Sequence, residues 1–541
     1  MRTACISILI AALVQAQPPS PSPSKQAEVD RIFSSFNTHT PGCAVGVAHQ
    51  GKVVLRAGYG MADLERNVAI TPGTIFESGS VAKQFTAATL MLLAQEGKIS
   101  LDDPMRKYLP ELVDYGAPLT IRQVISHRSG LREWRPIATF GGRREGTYVY
   151  TNQDLLEMAA KQRALNFDPG SHYSYTNTGF NISTILVERA LGNGKTFQQY
   201  TQDVIFGPLQ MVHTRWRDNI RAIVPRRALA YGMVNGVLEQ QTPIENIIGA
   251  GGLLTTVGDL LLWNENFTHA KVGGPEFVKM QQTPAKLTSG KTISYAAGLT
   301  VGEVDGTRLV SHSGSTGGYR TWLGRYPDQG VSVAVLCNSA QANPTRLGQE
   351  TARLWTGGVA KTVTSSYKAD SATLQAVAGS YRKLRNNTVV EVRYRDGKLM
   401  FGPAELIPSG PGRFVSANER SEYRFVEGNP PRIEVTSPDD EVAYVRVDLV
   451  HPSASDLAPL LGRYESRETG GTVVVAAGTK AGELTLRVNG DAPIHLRPTF
   501  KDAFAGTGGA AIFFVRDTSG KVVAMSAGED RVWDLRFTRV P

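Results

Sequence analysis

Ser80 and Lys83 stand three residues apart at the start of the apolar stretch FESGSVAKQFTAATLMLLAQEGKI, residues 76–99. In a helix that spacing sets a hydroxyl beside an amine on one face. A serine hydroxyl is a weak nucleophile at neutral pH and needs a base within hydrogen-bond reach. A lysine serves as that base only while it is neutral, and both burial and the positive end of a helix dipole push its pKa down. The same dipole stabilises alkoxide developing on Ser80. The spacing S-x-x-K occurs four times, at Ser22/Lys25, Ser80/Lys83, Ser365/Lys368 and Ser380/Lys383. Two of the others fall in linker-like segments, and one opens a β-patterned run in which positions i and i+3 do not share a face. Only Ser80/Lys83 opens a helix.

Two further segments carry reactive groups. In DPGSHYSYTNTGFN, the alternation of an extended loop points Tyr175 and Asn177 into one cleft, where a phenolate would act as a general base or proton relay. Tyr150-Thr151-Asn152 has the same spelling, but Thr151 reads as the N-cap of a helix through Leu155 and Leu156. In LVSHSGSTGGYRTWLGRYP, a strand opens with His312-Ser313-Gly314. An inward His beside a Gly lets substrate backbone approach closely, and the amides of Ser315 and Ser80 can form the two arms of an oxyanion hole. Gly194-Lys195-Thr196 imitates a phosphate loop, but Arg189 stands where the leading glycine belongs, and no G-x-S-x-G elbow occurs.

The elements that must position these groups follow from periodicity. A hairpin is expected over residues 43–48 and 53–58, about the turn His49-Gln50-Gly51, and helices over 80–96, 152–162, 178–191 and 257–267. Strands return at 299–304, 308–311, 320–326 and 331–336. Two strands, a helical middle and a second set of strands that must rejoin the first pair predict an α+β unit with a discontinuous sheet. Past Trp355 the texture turns polar and small. Residues 373–541 then carry a repeat of about 85 residues, in which Gly379-Ser380-Tyr381 resembles Gly462-Arg463-Tyr464, so two small antiparallel barrels or sandwiches are expected.

Composition bounds the function classes. With 58 Lys plus Arg against 49 Asp plus Glu over 541 residues, the net charge of +9 is too diffuse for nucleic acid. Three cysteines make neither a disulfide scaffold nor a zinc site, and neither a metal nor a cofactor is expected. Residues 1–16 read as a secretory signal peptide, since Arg2 precedes an apolar run over 4–14 that is too short to span a bilayer. QPPSPSPSK, residues 17–25, reads as an extended leader. The plan is a signal peptide at 1–16, a linker at 17–28, an α+β unit at 29–358 and β-domains at 373–449 and 457–541. The expected location is periplasmic or secreted, with no membrane span.

In their order and separation, the three motifs resemble the serine β-lactamase and penicillin-binding-protein superfamily, most closely its class C-like branch. LDDPMRKYLPEL, ISHRSGL and GAGGLLTTVGDL extend the likeness over residues 41–355. The resemblance implies that Ser80 is acylated, Lys83 shuttles its proton, Tyr175 is general base or acid, Asn177 holds Lys83 and the substrate amide, and His312-x-Gly314 lines the cleft, so that Ser80, Lys83, Tyr175 and His312 are the expected catalytic residues and Asn177, Gly314 and Ser315 the expected substrate-binding ones. Class C β-lactamases carry Lys-Thr-Gly at the last motif; here His312 replaces the Lys, and a mostly neutral imidazole makes a weaker site for a β-lactam carboxylate. The β-rich tail is similar to D-aminopeptidases with lipocalin-like barrels. The resemblance also makes the first and last strands neighbours, which implies a disulfide between Cys43 and Cys337. It points to an exported serine hydrolase acting on small D-amino-acid peptides, esters or other amides. The alternatives are a class C-like β-lactamase, or a non-catalytic penicillin-binding or sensor protein whose β-tail binds a partner.

Overall fold

The computed structural model describes residues 23–143, 148–359, 365–417, 421–506 and 509–541. The expected signal peptide lies outside them. Six strands form the central sheet: β1 (Cys43–His49), β2 (Lys52–Tyr59), β3 (Thr300–Val304), β4 (Thr307–Thr316), β5 (Tyr319–Tyr326) and β6 (Val331–Cys337), in the order β3-β4-β5-β6-β1-β2. The N-terminal hairpin therefore rejoins the later strands, and β1 lies antiparallel to β6 with Cys43 opposite Cys337 and His49 opposite Val331. Cys43 and Cys337 are bonded.

Alternation along β1 sorts its side chains between two layers. Ala44 and Ala48 join the large core beneath the helices, while Cys43, Val45 and Val47 join a second core on the opposite face. The first face carries small residues because a helix presses on it: a Cβ at Gly46 would lie 3.1 Å from Leu261 Cδ1. The second face is covered by the C-terminal helix of this unit, Pro344–Thr356, and by an N-terminal helix, Pro23–Ile32. That N-terminal helix corrects the expectation of an extended leader and of a linker running to residue 28. Proline is tolerated at the first helical position, and Val29 and Phe33, one turn apart, are fully buried under the sheet. The chain therefore joins the domain from Pro23.

The helical middle follows the expected periods: α1 (Lys83–Gln95), α2 (Trp134–Phe140), α3 (Asn152–Lys161), α4 (Thr178–Leu191) and α5 (Val257–His269). Of these, α2 has no counterpart in the expected elements. Every residue of α1 from Lys83 to Leu93 is buried. Two β-domains follow, over 379–447 and 462–540, each a closed eight-stranded barrel. The internal repeat has a structural counterpart. Tyr381 donates to Val377 O at 2.9 Å and Tyr464 to Leu460 O at 2.7 Å, while Arg446 and Arg539 donate to the carbonyls of Ala378 and Leu461. Each copy thus uses a first-strand tyrosine and a last-strand arginine to tie down the chain entering the barrel.

Candidate active site

Ser80 lies not in α1 but in a 3₁₀ turn, Gly79–Ala82, that leads into it. In a turn with three residues per revolution, positions i and i+3 eclipse, which sets Ser80 directly over Lys83. Gly79 has φ +51°, and a Cβ there would lie 2.6 Å from Ser315 N. A Cβ at Gly314 would overlap Ser78 O and lie 3.0 Å from Ser80 N. The two glycines let the turn that carries Ser80 and β4 touch backbone to backbone, and Thr321 Oγ1 pins the contact by donating to Ser78 O at 2.6 Å. The amide-bearing backbones of Ser80 and Ser315 thus face each other at the cleft.

Lys83 is fully buried. Its Nζ lies 2.7 Å from Asn177 Oδ1, 2.9 Å from Ala250 O and 3.0 Å from Ser80 Oγ. Burial holds its pKa well below the ordinary lysine value, against the opposing pull of Glu133. A neutral amine has two N–H groups and one lone pair. Asn177 Oδ1 and Ala250 O can only accept, so they take the two N–H groups, and the lone pair is left facing the Ser80 hydroxyl.

Tyr175 shares a hydrogen bond with Ser80, and burial drives its pKa upward. The phenolate anticipated from sequence therefore gives way to a neutral phenol, a proton donor and relay rather than a standing base. Tyr150, the rival, is 1 % exposed, packed on Trp134 and donating to Arg143 O, while Thr151 caps α3 as expected. Asn177 precedes α4, and its amide is oriented by Glu133: Asn177 Nδ2 donates to Glu133 Oε1 at 2.9 Å and Asn177 N to Glu133 Oε2 at 2.7 Å.

His312 sits in the middle of β4 rather than at its start, 7 % exposed on the cleft wall. Burial pulls its pKa down to about 4, so it is neutral at pH 7. Nδ1 lies 2.6 Å from the Ser313 carbonyl, which can only accept, so Nδ1 carries the proton. Nε2, 2.9 Å from Tyr295 Oη, is then the acceptor. Both ring nitrogens are engaged within the protein, so His312 presents a neutral imidazole to the cleft wall. Gly314 and Ser315 line the same cavity of about 1230 Å³ as Ser80, Tyr175 and Asn177.

Three contributors were not singled out from the sequence. Glu133 follows the quoted ISHRSGL segment closely, yet its partner lies 44 residues on. His127, inside that segment, stacks on Tyr175 with ring centroids 4.1 Å apart and accepts from Thr176 N at 3.2 Å. Arg531 arrives from the second barrel, its guanidinium carbon 4.8 Å from the Tyr175 ring centre. No local motif announces it. Its hairpin is clamped to the α+β unit: Glu133 N and Asn166 Nδ2 both donate to Arg531 O, Trp533 N donates to Asn166 Oδ1, and Arg132 Nη2 donates to Asp534 O at 2.6 Å.

Comparison with known proteins agrees with this geometry. Residues 29–356 match the family described as Beta-lactamase. The chain is 29% identical over 324 residues to a D-aminopeptidase of Brucella canis, covering 58% of this chain and 59% of that protein. It is 29% identical over 307 residues to a D-aminopeptidase of Gluconobacter oxydans, covering 56% of each. The match thus spans little more than half the length of these relatives. Among solved structures, the octameric penicillin-binding protein homologue from Pyrococcus abyssi superposes with a TM-score of 0.55 at 22% identity, over 78% of this chain and 99% of that one. The D-amino acid amidase from Ochrobactrum anthropi does so at 0.51 and 19% identity, over 61% and 97%. At these identities the structural likeness speaks for the fold, and the matched family covers the unit that carries Ser80, Lys83, Tyr175 and Asn177. The chain belongs to the beta-lactamase family.

Proposed function

We propose that this protein is an exported serine hydrolase that acylates Ser80 and transfers the acyl group to water, acting on amide or ester bonds of small D-amino-acid substrates. The observation that carries the reading is the buried Lys83 amine, whose lone pair faces Ser80 Oγ at 3.0 Å while two carbonyl oxygens take its protons. As Ser80 Oγ bonds to the substrate carbonyl carbon, its proton passes to Lys83 Nζ, and the amides of Ser80 and Ser315 receive the oxyanion. Collapse breaks the bond to the leaving group, which takes a proton through Tyr175, and that proton is replaced from Lys83. Water then enters with the roles reversed: Lys83 and Tyr175 accept its proton, its oxygen bonds to the acyl carbon, and Ser80 leaves reprotonated.

The D-aminopeptidase relatives support the D-amino-acid substrate class. The neutral, fully engaged His312 argues against a β-lactam carboxylate at that strand position. Export is supported by the apolar run over residues 4–14 and by the buried Cys43–Cys337 bond, which persists in oxidising compartments. A panel of D-amino-acid amides, p-nitrophenyl esters and nitrocefin tests the reading. D-amides and esters are expected to turn over, and nitrocefin far more slowly; nitrocefin hydrolysis matching the esters would replace this assignment with a β-lactamase.

A further inference from the structure

The charges lining the cleft are paired almost throughout. Lys383 of the first barrel is tied to Asp530 of the second at 2.6 Å, and Arg135 pairs with Glu245 at 3.6 Å. Glu133 is spent on Asn177, and Arg320 donates to the carbonyls of Gly317 and Tyr319. Arg531 stands apart. Its side chain is exposed to the cavity, and no carboxylate among the described residues lies within ion-pair distance of it. What it faces is the ring of Tyr175, whose hydroxyl meets Ser80.

The hairpin that carries it is rigid where rigidity matters. The backbone at Arg531 is held by two donors from the catalytic unit, and Trp533, two residues on, packs on Phe167 with centroids 5.1 Å apart. The guanidinium is therefore presented at a fixed place beside the nucleophile. Burial disfavours the charged form of Lys83, and His312, lowered to about 4, is neutral at pH 7. Arg320 also has no carboxylate partner among the described residues, but its Nη1 is held on the carbonyls of Gly317 and Tyr319, so on the Tyr175 side of the cleft the cation that an anionic group of a substrate meets is Arg531. A guanidinium offers a planar fork of N–H donors that matches a carboxylate bidentately.

We propose that Arg531 is the carboxylate receptor of this active site, supplied by the second barrel, so that the preferred substrates are short peptides with a free C-terminal carboxylate. This rests on the hydrolase reading and specifies its substrate. The barrel then completes the substrate site, doing from another domain what a charged residue on β4 would otherwise do.

Binding is measured by calorimetry on the full-length Ser80→Ala protein, which leaves peptides uncleaved, with D-alanylglycine and D-alanylglycinamide as the matched pair. The free acid is expected to bind at least tenfold more tightly than the amide. Adding Arg531→Gln is expected to bring the ratio to within about threefold of one, with Arg531→Lys in between. Equal affinities in the Ser80→Ala protein, no detectable binding of either peptide, or an unchanged ratio in Arg531→Gln would each overturn the proposal. Arg531→Lys keeps the test open should Arg531→Gln fold poorly, because retention of the full ratio in a folded protein lacking the planar fork contradicts bidentate recognition. Hydrolysis of p-nitrophenyl acetate by the wild-type protein separates the two readings: turnover with equal peptide affinities removes only the role of Arg531, while absence of turnover removes the hydrolase.

Discussion

Glu133 holds Asn177 at two points at once, its Oε1 accepting from the side-chain amide and its Oε2 from the backbone N–H. The carboxylate thereby fixes which way the amide points and turns Asn177 Oδ1 toward Lys83 Nζ at 2.7 Å. In Glu133→Gln one of the two acceptors becomes an NH₂ group facing an N–H, and the buried mismatch frees the amide to flip. Turnover is expected to fall about ten- to a hundredfold, the equivalent of roughly 1.4–2.8 kcal/mol, with little change in KM. Steady-state kinetics at wild-type levels would show that Asn177 needs no such orientation.

Lys83→Ala removes the base itself, and turnover is expected to fall by roughly 10² to 10⁴. The pH profile carries a second signature. Because burial lowers the Lys83 pKa, the amine is neutral above that value, so activity should rise with pH through it and level off well below the ordinary lysine range. Tyr175, raised by burial, should end the plateau only on the alkaline side, beyond the ordinary tyrosine range. The two groups share Ser80, so the limbs belong to the coupled set. A plateau beginning only near the ordinary lysine value would mean that Lys83 is charged in the resting enzyme.

Tyr175→Phe keeps the ring that stacks on His127 and lies beneath Arg531 but deletes the proton relay. The loss should exceed tenfold for amides and be smaller for p-nitrophenyl esters, whose leaving group departs without a proton. Equal losses for both would place Tyr175 in the attack on the carbonyl rather than in the protonation of the leaving group.

His312 links the site to stability. Its folded-state pKa is about 4 against an ordinary 6.5, so between these values the unfolded chain binds the proton and the folded one does not. Stability is full above pH 6.5 and is lost as pH falls toward 4, by about 3 kcal/mol for this one residue. His127, also buried and lowered, acts in the same direction. Urea denaturation of His312→Gln at pH 7 and pH 4.5 should show a visibly shallower acid loss than the parent. Identical slopes would mean that folding does not lower the His312 pKa.

The bond between Cys43 and Cys337 closes a loop of 294 residues and joins the first and last strands of the sheet. Replacing both by serine should cost about 2–4 kcal/mol of stability while leaving the Ser80 site intact. Peptide mapping without reduction should recover the linked pair; two free thiols would contradict it.

What the sequence could and could not show follows from the range of each interaction. Ser80 and Lys83 were legible because their contact spans three residues, and the central sheet was legible because its strands alternate or run apolar. Tyr175 and Asn177 were found by spelling, but the protonation state of Tyr175 was not, since it depends on a cavity closed by other segments. The neutrality of His312 rests on burial that no local pattern encodes. Glu133 and Arg531 act through partners far along the chain. Arg531 in particular looks like any turn residue until the second barrel is docked against Asn166 and Arg132.

The most direct measurement is the site of covalent attack. After treatment of the purified protein with a fluorophosphonate, peptide mass mapping should find a single adduct on Ser80, formed far more slowly in Lys83→Ala. Modification of another residue, or ester hydrolysis undiminished in Ser80→Ala, would contradict the account at its centre.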